Sequence, residues 1–535
     1  MTPRPGRRSA ALLAGLGLAA GTLLVAPAAP ASAAPENDSA AAVAGGEWLV
    51  GQLNADGLLE NAEFQSVQYG LTIDAALSLA EFEGGDFAAQ LAETTGSLTT
   101  PENVEEYTTF DYEFGGERFA GTSAGATGKL LAFAESRGLD TTDVGGVDLQ
   151  QQMEDLVRPS GRIADGDETG NNDDFANVIS QTWAVRGLAE AGSQAAGRAE
   201  EFLLTQQCDD GYFPEGFGSG AGRSCDDGTD EPSIDTTAFA VLNLSATRPP
   251  AGSDAQAVID QAADWLRSQQ TPNGAIGGDN TNSTGLAGWA LATVGADGAA
   301  QRAAVRVAAV QVAGFAQCEG ALVPDDVGAI ALGRAQFDRD VVTGIDLPAK
   351  DDQWRTATAQ ALPVLRSLPA RSESGTLERA TSGRFVKAGR PTQLRVRGLA
   401  AGQKDCVVGG GGGAMVVGSG KVSLDVPGGT ANRTYRLAGV GGSVTVRALG
   451  AKNLTIARKD VVARGAKQTV TVRGLAPKEK VSVEFRNRQV GAGTASQQGT
   501  FRTTFKVFGE KGRAPLVAKG QFPGARNGNN AFRVR

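Results

Sequence analysis

The sequence predicts a multidomain protein, all-α in its first part and all-β in its second. Two internal repeats and one break in texture carry that prediction. Between residues 199 and 295 one unit is written twice: Phe202 matches Trp265, Gln207 matches Gln270 and Gly211 matches Gly274, all at one offset. Each copy runs from an apolar helical pattern through a glutamine-to-glycine turn into a second apolar pattern, at 235–242 and 284–291. That is a helical hairpin, and a period near 50 residues signals an array. After about Arg371 helical spacing gives way to alternation with many glycines. There a second repeat appears, with Gly389 to Ala400 matching Gly465 to Ala476 at an offset of 76.

The elements follow in order. Arg4, Arg7 and Arg8, an apolar run over 10–25 and the small residues Ala31, Ser32 and Ala33 predict a signal peptide over 1–33. The mature chain then begins near Ala34, secreted and without a transmembrane segment. Residues 34–42 read as a linker. A first hairpin contains Trp48, Leu49, Gln52 and Gly57 and continues into 71–79. A second pairs 87–91 with 122–133, and a third runs from Leu149 through Gly161 into 182–188. The duplicated units are the fourth and fifth. Fainter traces follow from Gln317 through Gly320 to Leu322, at 327–332 and at 354–365. In the second helices Leu79, Leu131, Leu188, Leu242 and Leu291 mark one equivalent position. Small residues such as Ala184, Gly187, Ala240, Gly285 and Gly288 let neighbouring helices approach closely. Five or six hairpins fill residues 40–370. Spacing alone leaves both a capped array and a closed ring open.

Gln207, Gly211 and Phe213, the variant Gln270, Gly274 and Ile276, and the helix start at Asp235, Thr236, Thr237 and Ala238 carry a family likeness. They resemble the repeats of the squalene cyclase and protein prenyltransferase superfamily. The resemblance covers about 40–370 and implies an α/α toroid, an inner ring of helices inside an outer one. It implies no single activity, because that fold also serves cobalamin carriers and the thioester domains of complement. The catalytic signatures do not carry over. The chain has no histidine, which removes imidazole-based triads and the zinc set of the prenyltransferases. The Asp-x-Asp-Asp acid of class II terpene cyclases is missing, since Asp235 stands between Ile234 and Thr236. So is the Gly-Cys-Gly-Glu-Gln thioester motif. No catalytic residue and no metal ligand is assigned.

The four cysteines suit disulfides in an exported protein. Cys208 and Cys225 flank one loop and are paired on that ground. Cys318 and Cys406 are left by elimination and would join two domains. Two acidic clusters remain. One holds Asp165, Asp167, Glu168, Asn171, Asn172, Asp173 and Asp174. The other, on the first disulfide loop, holds Asp209, Asp210, Asp226, Asp227, Asp230 and Glu231. Hard oxygens at short spacing suit calcium, making the second cluster a candidate ligand or calcium loop; a solvated acidic turn is the simpler reading. No other cofactor is implied. Paired carboxylates on such a ring would also suit glycoside hydrolysis. Trp48, Trp183, Trp265, Trp289 and Trp354 sit inside helical patterns and read as core.

The net charge of −10 hides a division. Residues 371–535 carry 30 Lys and Arg against 8 Asp and Glu, a net of +22, while the remainder carries 20 against 52, a net of −32. Period-two segments at 422–426, 444–446, 481–485 and 501–507 predict two small sandwiches, read as Ig-like domains over 375–450 and 451–535. The glycine run 409–413 reads as a loose loop. Arg395, Arg397, Arg473, Arg486 and Arg488 alternate along strands and give a positive surface. Outside a cell nucleic acid is not the expected partner; an anionic cell-wall polymer, another extracellular ligand or the protein's own acidic ring is. The tail carries neither a Leu-Pro-x-Thr-Gly signal nor a terminal apolar segment, so attachment to a bacterial surface is expected to be non-covalent. The sequence therefore predicts a non-catalytic binding or adhesion module. The alternative is an extracellular enzyme, terpene cyclase-like or polysaccharide-processing, with a carboxylate site.

Overall fold

A computed structural model describes residues 39–535, apart from 62–63, 65, 83–84, 172, 219–221, 228–230 and 346–351. The expected signal peptide lies outside the described residues. Among these, six inner helices form a closed ring: Tyr69–Ala80, Ala124–Ser136, Val178–Glu190, Ile234–Ala246, Thr281–Thr293 and Asp352–Ala361. The sixth packs back on the first, where Gln360 Nε2 donates to Asp74 Oδ2 at 2.9 Å. Outer helices include Ala40–Val50, Leu149–Leu156, Ala196–Thr205, Asp254–Ser268 and Asp297–Ala308. The inner helices are buried over most of their circumference, with a few polar side chains among the apolar ones, while the outer ones bury one stripe. Polar caps start the inner helices. Ser123, Asn177, Ser233 and Asn280 each accept a bond from a first-turn backbone N–H, satisfying donors that would otherwise be orphaned.

The glutamine-to-glycine motif is the staple between neighbouring hairpins. Gln207 Nε2 donates to the Gly211 carbonyl at 3.0 Å and to Val258 of the next outer helix at 2.9 Å. Gln270 repeats this with Gly274 and Ala299, at 3.3 and 2.9 Å. Gln311 does so with Gly328 and with Ala41 of the first outer helix, at 3.0 and 2.8 Å. The last staple closes the ring. Gly274 and Gly328 have positive φ, 88° and 100°, and a Cβ on either would collide with a carbonyl of the adjoining outer helix, so the motif requires glycine there. Two residues on, a backbone N–H donates to an inner-helix threonine: Leu59 to Thr72, Phe213 to Thr237, Ile276 to Thr284 and Ile330 to Thr358. In the third hairpin Gln181 does both jobs, accepting from Ile163 and donating to Gly161 and Ala199.

Three sequence readings change. Counting from the threonines, the equivalent leucine of the fourth inner helix is Leu244, fully buried, whereas Leu242 faces the ring's centre. Gln317 and Gly320 are not a repeat trace, because Gln311 and Gly328 hold those places. The segment between the second pair contains the β-hairpin Thr109–Phe114 and Glu117–Thr122.

The second part is all β, in two sandwiches, each with its own core. The first packs Gly412–Val417, Lys404–Gly409, Ala431–Leu437, Ser443–Leu449 and Phe385–Lys387 against Gly420–Leu424, Thr392–Arg397 and Thr376–Arg379. The second packs a larger sheet around Arg526–Val534, Gly512–Lys519 and Lys480–Phe485 against Thr455–Ala457, Lys467–Arg473 and Thr500–Lys506. Such arrangements are compatible with Ig-like domains. The repeated stretches become the central strands Thr392–Arg397 and Lys467–Arg473 of the two three-stranded sheets. The glycine run is not loose. Gly409 pairs with Gly412, and Gly410 and Gly411 form a two-residue turn, both with positive φ, as tight hairpins demand.

Candidate functional site

The centre of the ring is the first place where chemistry gathers. A cavity of about 230 Å³ is lined from the middle and C-terminal halves of the inner helices. Its wall is largely apolar, with Trp183, Phe239, Leu242, Leu286 and Trp289, so two of the five tryptophans serve a cavity as well as a core. Asp74 and Lys129 meet at 2.6 Å, with side chains only 10% and 14% exposed. Lys129 also lies over the Trp183 ring at 5.5 Å, a cation–π contact. The Tyr107 phenol is pushed up by burial first and by the charge of Asp74 second. At the rim Glu81 pairs with Arg366 at 3.3 Å. The site residues Asp74 and Lys129 were visible in the sequence only as single charges inside apolar helices, a pattern that signals a buried pair.

The loops leading into the inner helices hold the acidic clusters. Asp165 accepts from Ala124 N at 2.7 Å and Phe175 N at 2.9 Å. Asp174 pairs with Arg162 at 2.7 Å and accepts from Asp165 N. Asp167 accepts from Gly170 N at 2.7 Å. These carboxylates shape their loop; Asn172 is outside the described residues. Exposed aromatics stand on the same set of loops: Phe64, Tyr112, Phe114 and Phe175. Tyr112 stacks on Phe119 across the hairpin, centroids 5.3 Å apart. No pattern in the sequence signals this rim.

On the next loop Cys208 is bonded to Cys225. Asp209 and Asp226, two of the carboxylates suited to calcium, instead flank the Arg223 guanidinium at 2.8 and 2.7 Å. Arg223 also donates to the Gln207 carbonyl, tying the loop to the staple. Asp210 and Glu231 are exposed, Asp227 lies in the short helix Ser224–Asp227, and Asp230 lies outside the described residues. Among the described residues no group of three Cys, Asp or Glu side chains is placed to hold a metal ion. Asp235 opens the fourth inner helix. Burial lifts its carboxyl above the usual carboxylate range; the Ser283 hydroxyl opposes the shift and the charge of Glu215 adds to it. Its Oδ1 is buried without a hydrogen-bond partner.

Ring and first sandwich are joined by Cys318–Cys406. Beside it Lys404 is buried over the Phe337 ring at 4.4 Å, with Glu319 at 3.7 Å, and it donates to the Gln311 carbonyl. This seam uses one buried lysine and leaves the strand arginines outside it. Arg397 pairs with Glu378 at 2.7 Å; Arg473 and Arg488 are exposed, and Arg395 and Arg486 half-buried.

No protein-family model matches the chain, and no curated protein is similar to it in sequence. Solved structures are similar over the greater part of it. A protein from Actinoplanes is 17% identical, over 61% of this chain and 98% of its own, with a TM-score of 0.41. A type II terpene cyclase, MstE from Scytonema, is 15% identical over 61% and 96%, at 0.41. A wild-type glycosidase is 14% identical over 62% and 97%, at 0.39. Among the described residues no helix is long and apolar enough to cross a membrane.

Proposed function

We propose that this protein is an exported, surface-associated binding module in which the helical ring holds a ligand and the basic sandwiches attach it to anionic cell-wall polymer. One observation carries the reading: among the described residues, the two carboxylates that line the ring's cavity face cations, Asp74 on Lys129 and Glu81 on Arg366. Carboxylates engaged by neighbouring cations, set in an apolar wall, make fixed charges that suit binding. The exposed aromatic loops support the same reading. Two disulfides fit an extracellular setting.

The test is co-sedimentation of the full-length oxidised protein with purified bacterial walls at low and high salt. Salt-sensitive retention is expected, and absence of retention at low salt overturns it. A second reading is favoured by Asp235, whose raised carboxyl beside Glu215 resembles a tuned acid. It is an extracellular enzyme, terpene cyclase-like or polysaccharide-processing. Turnover of a squalene-like, allylic diphosphate or polysaccharide substrate that disappears in Asp235→Asn would replace the binding reading.

A further inference from the structure

The two sandwiches meet across a small apolar seam, with Phe385 and Leu449 on one side and Ala476 and Phe522 on the other. Beside the seam Arg526 is buried and holds Glu479 at 2.6 and 2.8 Å. Its third nitrogen donates to the Gly450 carbonyl at 2.9 Å, in the linker between the sandwiches. Apolar contact and a satisfied ion pair together fix the angle between the two domains. That angle leaves a cleft of about 700 Å³ along the seam.

The cleft is lined by Arg384 and Ser382 from the first sandwich and by Lys478, Lys480, Ser496 and Gln521 from the second. Among the described residues no acidic side chain lines it. Arg384, Lys478 and Lys480 are exposed and none forms an ion pair. Lys478 takes a left-handed backbone conformation, φ 63°, which a residue with a side chain seldom adopts. A second hollow of about 510 Å³ shares Lys480, Thr494 and Gln521 with the cleft and extends to Lys519, which is paired with Glu484 at 2.6 Å, so Lys480 is the unpaired cation common to both.

We propose that this interdomain cleft is the binding site for the phosphodiester groups of an extracellular polyol-phosphate polymer. The proposal rests on the reading that the basic tail attaches to anionic wall material, and it names the place and the chemistry. Unpaired cations converging from two rigid domains make a local positive field that a diffuse arginine surface does not. Two continuous hollows accommodate successive charges along a chain better than one isolated ion. Hydroxyl and amide groups beside the cations donate to phosphate oxygens. Among the described residues the one aromatic side chain in the lining, Phe385, is buried in the seam and offers a nucleobase no stacking platform. The chemistry therefore favours a phosphate backbone without bases.

The test uses the full-length oxidised protein and a fluorescent poly(glycerol phosphate) oligomer, titrated at low and high salt. A cleft variant carries Arg384→Gln, Lys478→Gln and Lys480→Gln; a control variant carries Arg473→Gln, Arg488→Gln and Arg502→Gln, the same charge removed elsewhere on the tail. All six positions are exposed, and unchanged thermal unfolding verifies the fold. The cleft variant is expected to bind roughly tenfold to a hundredfold more weakly, with a shallower salt dependence, and the control to stay within about threefold. Equal weakening of both overturns the cleft while leaving charge-driven wall attachment standing. Failure of the wild-type protein to bind either the oligomer or whole walls overturns both. Tighter binding of polygalacturonate or of a single-stranded oligonucleotide overturns the phosphodiester assignment. Binding of inorganic phosphate as tight as that of the oligomer overturns the polymer.

Discussion

Substitution of Glu319 at the seam between ring and first sandwich is expected to be far more damaging than substitution of its partner. Lys404 and Glu319 are 3.7 Å apart with side chains 5% and 2% exposed. At an effective dielectric near 20 their attraction is about 4.5 kcal/mol, comparable with the cost of burying the two charges, so the pair is nearly neutral overall. Its halves are unequal. Glu319 also accepts from Ala313 N at 2.9 Å and Phe315 N at 2.8 Å, which hold its charge when the lysine is removed. Lys404 has only the Gln311 carbonyl and the Phe337 ring besides. Glu319→Gln therefore strands a buried ammonium and should cost about 3–5 kcal/mol. Lys404→Met should cost about 1 kcal/mol, and the double substitution little more. Scanning calorimetry of the four proteins at pH 7, disulfides intact, measures the cycle. Burial first, and Arg334 after it, lower the Lys404 amine to about 8 against the opposing charge of Glu319. The unfolded chain keeps that proton to about 10.5, so the unfolded state binds more protons between the two values and stability rises with pH across that window. Lys404→Met should remove the rise. Equal losses from the two single substitutions, or strict additivity in the double, would refute the reasoning.

Three further outcomes are expected. Gln311→Ala removes the ring-closing staple and leaves the carbonyls of Ala41 and Gly328 without it, so chemical unfolding should show a loss of about 2–4 kcal/mol; a loss much smaller than that of Gln270→Ala would mean the ring is not closed in solution. Asp235→Asn should raise the melting temperature at pH 7, because burial disfavours the native charge, and the gain should fade as pH drops toward 3.8 and vanish well below it, where both states are protonated; a destabilised variant at pH 7 would show that the carboxylate is held by contacts instead. Lys129→Met should lower the melting temperature and Asp74→Asn/Lys129→Met should recover most of it, a pattern absent if the ion pair is solvated.

The staple was legible in the sequence because its physics admits few residues. One side chain must donate twice, and one backbone position must pass under a neighbouring carbonyl, so glutamine and glycine recur at a spacing of four. The closing copy escaped because Gln311 and Gly328 stand 17 residues apart, around an inserted loop. Gln181 escaped because it does the same work from an inner helix. Asp74 and Lys129 are 55 positions apart, and only ring closure and packing bring them together. Lys404 and Lys480 occupy one position in the β repeat; one is buried against the ring and the other is exposed, a difference made by the neighbour and not by the repeat. The interdomain cleft depends on an angle set by Phe385, Leu449, Ala476 and Phe522, and no local pattern encodes an angle.

The Cys318–Cys406 bond gives the molecule a mechanical route of its own. Under the wall attachment proposed above, with the ring engaged by something that moves, the molecule would be pulled from both ends. Tension entering at the sandwiches leaves the backbone at Cys406 and crosses directly to Cys318, bypassing the chain between two cysteines 88 positions apart. The bypassed stretch contains the sixth inner helix, Asp352–Ala361, whose contact with the first closes the ring. Pulling on the oxidised protein therefore does not draw out the closing helix through its own backbone, and reduction of that one bond should convert the ring's last hairpin into the first part to be drawn out.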